Sequence, residues 1–225
     1  MSAPTAPTWL DLYDWRRRAA EMFRERDAAL ERGEDAALVL ARFRAAKDAL
    51  FARHRQSPLS ADAQASFAGL RYFAYEPRLR VKASLSPIDS GDSVDAPASG
   101  PHTMPLERAA TVDFELAGAP MRLTVFWIDV YGGGLFLPFR DATCPAESYG
   151  AGRYLFDTVK GSGFELDVAP AADSSGYVGG SIILDFNYAY NPSCAYDVRW
   201  ACPLAPRENW LPAPIRAGER KFHQD

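Results

Sequence analysis

Hydrophobic positions in this 225-residue chain recur with one spacing up to about residue 56 and with another after residue 70. The first stretch, residues 8–56, has no proline, a single glycine at Gly33 and many Ala, Leu, Glu and Arg residues, all favourable to helix. Leu12, Trp15, Ala19, Met22, Phe23 and Leu30 follow the 3.6-residue period and form one apolar stripe. Thr8 followed by Asp11 supplies a hydroxyl and a carboxylate for the open N–H groups of a first turn, and Gly33 can end the helix. After Asp35 a second stripe runs through Leu38, Val39, Phe43, Leu50 and Phe51 until Ser57-Pro58 stops it. The pattern predicts a helical hairpin or one bent helix, with a further short helix over "SADAQASFAG" ending at Gly69.

From Leu70 the period shortens to two. "LRYFAYEP" and "LRVKASLSPI" read as strands. In "ATVDFELAGAPMRLTVFWIDV", Val112, Phe114 and Leu116 alternate with polar residues before "AGAP", and Met121, Leu123, Val125 and Trp127 alternate after it, which predicts a hairpin. "LFLPF", "RYLFDTV", "FELDVAP" and "SIILDFNYAY" follow at short intervals. Strands this close, with no helix between them, predict an antiparallel sheet rolled into a barrel or sandwich. The polar stretch over 89–105, rich in Gly, Ser and Pro, reads as a flexible loop. The proline-rich tail "CPLAPRENWLPAPIRAGER" is expected to cross the sheet as an extended strap.

Composition narrows the function classes. Hydrophobic residues at 48% and charged residues at 24% are ordinary for a folded domain, and a net charge of -4 provides no basic field for a nucleic-acid backbone. Arg16, Arg17 and Arg18 are offset by nearby acids such as Glu21 and Glu25, giving a solvated mixed-charge face. No apolar run approaches the roughly 20 residues that span a bilayer. "MSAPTAPTW" lacks a basic n-region and an apolar h-region, so the expected location is the cytoplasm. An odd set of 3 cysteines fits free thiols there better than a disulfide framework.

Cys144, Cys194 and Cys202 lack the short Cys-x-x-Cys spacing of zinc sites, and His54, His102 and His223 fall in a helix, a loop and the tail. Neither metal nor cofactor is expected. With no histidine near it in sequence, Cys194 lacks the base a nucleophilic thiol needs, and it reads as a buried, inert thiol. The glycines of "YGGG" and "YGAG" lack the Lys-Ser/Thr and the helix of a phosphate loop.

Polar groups do concentrate beside aromatics between Tyr131 and Asn209. In "DFNYAY", Phe186, Tyr188 and Tyr190 alternate with Asp185 and Asn187, which face either solvent and an ion pair or the interior of the sheet. On the second reading, Asp185 and Asn187 face Arg140 or Arg153. The candidate pocket then comprises Arg140, Asp141, Tyr149, Arg153, Tyr154, Asp185, Asn187, Tyr190 and Asn191. Its arginines favour an anionic or polar small molecule.

The blocks "LPFRDATCPAESYGAGRYL", "LDFNYAYNPSCAYD" and "CPLAPRENWLPAPIRAGER", with "SPL" and "GLRYFAYEP" upstream, resemble those of the bacterial and archaeal family catalogued as domain of unknown function 1684. The resemblance spans nearly the whole chain except 89–105. It implies one domain over 8–225 and supplies no catalytic residues. The sequence as a whole predicts an α+β fold, with a helical hairpin packed on a mainly antiparallel, barrel-like sheet behind a flexible N-terminus at 1–7. Function divides between small-molecule binding, with or without catalysis, and a protein-interaction module built on the helices and on aromatics such as Trp200 and Trp210.

Overall fold

A computed structural model describes residues 7–88, 92–163, 166–170 and 177–222. Helices α1 (Trp9–Glu31) and α2 (Ala36–Arg53) form the expected hairpin. Thr8 caps α1 through the reciprocal box with Asp11, and Asp35 caps α2 by accepting from the Leu38 N–H. The stripes face inward at Phe23, Val39, Phe43, Leu50 and Phe51, whereas Leu38 is 62% exposed. Helix α3 (Ala61–Ala65) stops short of Gly69.

Strands β1 (Arg80–Pro87), β2 (Ser93–Pro97), β3 (Thr103–Leu116), β4 (Ala119–Ile128), β5 (Gly134–Phe139), β6 (Arg153–Asp157), β7 (Leu166–Pro170) and β8 (Tyr177–Asp185) make one 8-stranded antiparallel sheet. Its order is β6-β5-β4-β3-β1-β8-β7, with β2 added beside the first half of β3. The sheet curls into a half-barrel. Tyr154 in β6 exchanges both backbone hydrogen bonds with Tyr190, just past β8, at 2.8 and 3.0 Å. The chain is therefore α+β, as its pattern predicts.

The β3–β4 hairpin turns on Ala117 and Gly118, with φ of 51° and 78°, the left-handed pair that a two-residue turn needs. Val112, Leu123, Val125, Leu137, Ile182 and Leu184 fill the hollow of the sheet. On the other face of β4, Phe126 packs with Ala96, Leu106, Phe136 and Tyr154, so both faces are buried there. Trp127, expected in the core, is 37% exposed, because the buried positions shift to Phe126 near the register break between Arg108 and Ala110.

Three local expectations are corrected. Residues 93–97 and 103–105, read as a loop, form strands in a pairing of 93–97 with 103–107, and Ala96 has no exposed surface. Cross-strand bonding there overrides a Gly- and Pro-rich composition, while residues 89–91 of that segment lie outside the described residues. "LRYFAYEP" forms no strand. It makes an isolated bridge at Tyr72 with Glu219, and Pro77 opens a 3-10 turn over Pro77–Leu79. In "DFNYAY", β8 ends at Asp185, and Phe186–Tyr188 is a 3-10 turn.

That turn decides how the helices meet the sheet. Phe186 enters the main core, Tyr188 packs edge-on against Phe43 at 4.9 Å, and Tyr196 packs against Phe51 at 5.1 Å. Residues 211–220 run beside the same turn, with Glu219 N–H donating to Ala189 and Phe73 N–H donating to Gly218. Gly218 has φ of 72°, and a Cβ there would collide with the Ala189 carbonyl, so only glycine fits.

Candidate functional site

The predicted pocket residues divide between two places. The first is a polar junction at the C-terminal end of β5 and the start of β6. Arg153 is fully buried, and its guanidinium donates to Asp141 Oδ2 at 2.8 Å and to the Ile215 and Glu219 carbonyls at 2.8 and 3.0 Å. It also donates to the Ala217 carbonyl. Asp141 Oδ1 accepts the N–H groups of Thr143 at 2.9 Å and Ile215 at 3.0 Å. The pair thus ties the tail to the sheet. Of the two side chains, only Arg153 Nε lacks a partner among the described residues. Arg140 stacks over the Trp210 ring at 4.2 Å and donates to the Gly150 carbonyl.

Asp185 meets neither Arg140 nor Arg153. Its Oδ1 caps the turn by accepting from Asn187 N and Nδ2, both at 3.0 Å, and its Oδ2 lies 3.6 Å from Arg80. Burial raises its carboxyl above the ordinary carboxylate range, and the bonds from Asn187 partly offset that rise. Asn187, 1% exposed, holds the Glu76 backbone through both ends of its amide at 2.9 Å. These groups hold the chain in place and leave little for a ligand. Tyr149 stands apart, its hydroxyl donating to Cys194 Sγ at 3.6 Å.

The second place is a cleft of about 90 Å³, open on one side, between the helical hairpin and the segment after β8. Tyr154, Tyr190 and Asn191 of the predicted set line it, together with Trp15, Lys47 and Lys160. Lys47 lies 4.7 Å above the Tyr190 ring and pairs with Glu219, which is 1% exposed. Glu219 also accepts from the Asn191 N–H at 3.0 Å and from the Tyr196 hydroxyl. Lys160, with 43% of its side chain exposed, reaches Asp157 at 3.2 Å and the Tyr154 ring at 5.7 Å. The Tyr190 hydroxyl meets Ser162 Oγ at 3.3 Å. Asn191 Nδ2 donates to the Arg220 carbonyl at 2.8 Å, but its buried Oδ1 has no hydrogen-bond partner among the described residues. A buried carbonyl left unpaired costs about 1–3 kcal/mol.

Lys47, Lys160 and Ser162 are absent from the sequence-based set. One signal was available: Phe43, Lys47 and Phe51 occur at i, i+4 and i+8 on α2, a lysine inside an apolar stripe. For Lys160 and Ser162 no local signal distinguishes them from other turn residues.

A wider groove of about 1110 Å³ lies where the start of α1, the end of α2 and α3 meet Arg199 and Trp200. At the tip of α1, Trp9, Leu10 and Tyr13 are 86%, 78% and 66% exposed. Of Trp200 and Trp210, expected as exposed aromatics, Trp210 is 40% exposed and Trp200 is half-buried, and both make contacts within the chain. The Trp200 indole donates to the Pro58 carbonyl at 2.9 Å, and Trp210 lies between Arg140 and Arg207. Among the described residues no group of three or more His, Cys, Asp or Glu side chains is positioned to hold a metal ion, and His223 lies outside them. No described helix is long and apolar enough to cross a membrane.

Comparison with known proteins adds a family. The family model described as "Protein of unknown function (DUF1684)" matches residues 65–220. The solution NMR structure of an uncharacterized protein from Haloarcula marismortui is similar at 38% identity and a TM-score of 0.56. That similarity covers 80% of this chain and 91% of the archaeal one. No curated protein matches.

Proposed function

The chain belongs to the DUF1684 family, and on that footing we propose that it binds a small anionic molecule in the cleft between its helical hairpin and the segment after β8. One observation carries this reading: the unpartnered, buried Oδ1 of Asn191 on a wall shared with two lysines. A ligand that turns the Asn191 amide toward the cleft and donates to Oδ1 removes the cost of that orphan acceptor, and an anionic end answers the Lys160 ammonium. Trp15, Phe51 and Tyr190 offer flat apolar surface to the rest of the molecule. An engineered cavity of roughly 150 Å³ holds benzene, so a cleft of about 90 Å³ suits a compact ligand seated partly in the opening.

A panel of aromatic and short aliphatic carboxylates, half of them with a hydroxyl or amine donor, tests the proposal by ligand-observed NMR. Carboxylates with a donor should bind, and Asn191→Ala and Lys160→Ala should each weaken them about tenfold, equivalent to about 1.4 kcal/mol. Equal binding to wild type and both variants, or no binding by any member, would overturn it. We propose no reaction. The free thiols of Cys144, Cys194 and Cys202 support a reducing setting, and we propose the cytoplasm.

A second reading is carried by Trp9, Leu10 and Tyr13, whose exposure on one helix end fits a protein-binding surface. Trp9→Ser with Leu10→Ser should then abolish association with a partner protein while leaving carboxylate binding unchanged. Retained association in that variant would reject this surface.

A further inference from the structure

We propose that the groove of about 1110 Å³ between the start of α1, the end of α2 and α3 binds an acidic, extended segment of a partner protein, with apolar side chains between its carboxylates. This partner class rests on the reading of Trp9, Leu10 and Tyr13 as a protein-binding surface and adds the chemistry that such a surface selects.

The charge of the groove is one-sided. Arg53, Arg55 and Arg199 line it and no aspartate or glutamate does, in a chain whose net charge is -4. Arg53, in the last turn of α2, is exposed and makes no ion pair among the described residues. Asp11 and Asp197 approach Arg55 and Arg199 from outside the lining, at 3.6 and 3.7 Å. The side chains of Arg55 and Arg199 remain 50% and 49% exposed, so both guanidiniums are open to a further carboxylate. Exposed pairs of this length contribute little, and a partner's carboxylate can share or replace them at small cost. Residues 1–6, which join the groove wall at Pro7, carry no acidic side chain and do not answer this charge.

The shape is held in advance of any partner. Ala52, Ala61 and Ala65 are small and leave depth between the helices. Gln64 Nε2 donates to the Phe51 and His54 carbonyls, both at 3.0 Å, which fixes α3 on the end of α2. Arg199 donates to the Ser57 and Leu59 carbonyls at 3.1 and 2.9 Å and so fixes the opposite wall. A wall already ordered spares a partner that part of the entropy cost of binding. Pockets for small molecules extend to roughly 1,000 Å³, so an open groove of this size suits a length of chain better than a metabolite. Trp9 stands at its edge as an exposed aromatic anchor, and Leu12 and Leu59 supply apolar floor. A nucleic-acid strand would also answer the arginines, but the overall negative charge of the chain opposes a polyanion.

The test is selection from a random library of short displayed peptides on the full chain, followed by fluorescence anisotropy with the enriched peptides made synthetically. Enriched sequences should place Asp or Glu around one or two apolar residues. Exchange of those acids for Asn and Gln should weaken binding to the wild-type chain about tenfold, and so should Arg53→Gln with Arg55→Gln. Arg53→Lys with Arg55→Lys should keep most of the affinity, and a rise from about 0.05 to 0.3 M NaCl should weaken it several-fold. Asn191→Ala should change nothing. Enriched peptides without acids, bound equally by the glutamine variant and lost in Trp9→Ser with Leu10→Ser, would overturn the acidic class and leave the apolar surface standing. Enrichment no greater on the wild type than on that serine variant would overturn both. A labelled oligothymidine that binds more tightly than every acidic peptide would assign the arginines to nucleic acid and overturn the proposal. The comparison of acidic and amide peptides uses the wild-type chain, so it decides the matter even where a variant does not fold.

Discussion

The Arg153–Asp141 junction is built of polar groups and the Asn191 cleft sets a few polar groups in a mainly apolar wall; both lie beside residues 211–220, and both contain residues that the sequence marks as candidates. They differ in how fully they are paired. At the junction the carboxylate accepts from two backbone N–H groups and from the guanidinium, which in turn donates to three tail carbonyls. In the cleft, beside the internally paired Lys47–Glu219, a buried carbonyl oxygen has no partner and a lysine is half exposed. Density of charged residues therefore identifies where a chain is tied to itself. A residual unmet group beside open volume identifies where something else can be held.

Arg153→Met should be the most damaging, because it leaves Asp141 charged and buried without its partner. The expected loss is about 3–5 kcal/mol by urea denaturation, and a loss below about 1 kcal/mol would mean that the junction is not holding the tail. Tyr188→Ala should cost about 3 kcal/mol, since the ring is buried against Phe43 and joins the helices to the turn after β8.

On the cleft side the expected effects are on binding more than on stability. Asn191→Leu removes the orphan acceptor along with a donor to Arg220, so carboxylate binding should weaken by about tenfold or more while stability falls by no more than about 1.5 kcal/mol. The reverse outcome would make Asn191 structural, like Asn187.

Asp185→Asn tests the pH dependence. The folded-state value is raised by burial, so the folded chain holds this proton more tightly than the unfolded one. Its contribution to stability is fully present below the unfolded carboxylate value and is lost as pH rises through the raised folded value. The asparagine variant lacks that loss. Its stability relative to wild type should therefore improve between pH 3 and pH 7 by below about 1 kcal/mol, measured by thermal melts across that range. Smallest of all is Tyr188→Phe. The buried Tyr188 hydroxyl has no partner among the described residues, so its removal should shift the melting temperature by roughly 2 °C at most, and upward.

Local features of the fold were legible. The capping box at Thr8, the two helical stripes and the two-residue turn at Ala117-Gly118 each depend on residues close in sequence. The 93–107 pairing was not legible, because its apolar residues Val94, Ala96, Met104 and Leu106 are few and are separated by Gly, Ser and Pro residues. Nor was the end of β8: Phe186, Tyr188 and Tyr190 alternate like a strand, yet they enter three different clusters, which only contacts with distant elements could specify. The site divided along the same line. Tyr154, Tyr190 and Asn191 come from the marked blocks, whereas Lys47 arrives from α2, and the partners of Arg153 and Asp185 were assigned to each other's neighbourhoods by sequence alone.

The reciprocal bond pair between Tyr154 and Tyr190 has a further consequence, for the behaviour of the chain in company. β6 is one of the two terminal strands in the hydrogen-bonding order, and a terminal strand ordinarily presents free N–H and C=O groups on which another molecule can build. Here the chain that leaves β8 occupies that position at Tyr154, near the start of the strand, and Arg153 beside it is anchored by the tail. A strand whose outer side is occupied by the chain's own backbone is a poor template for growth, so copies of the protein have little tendency to recruit one another through this edge.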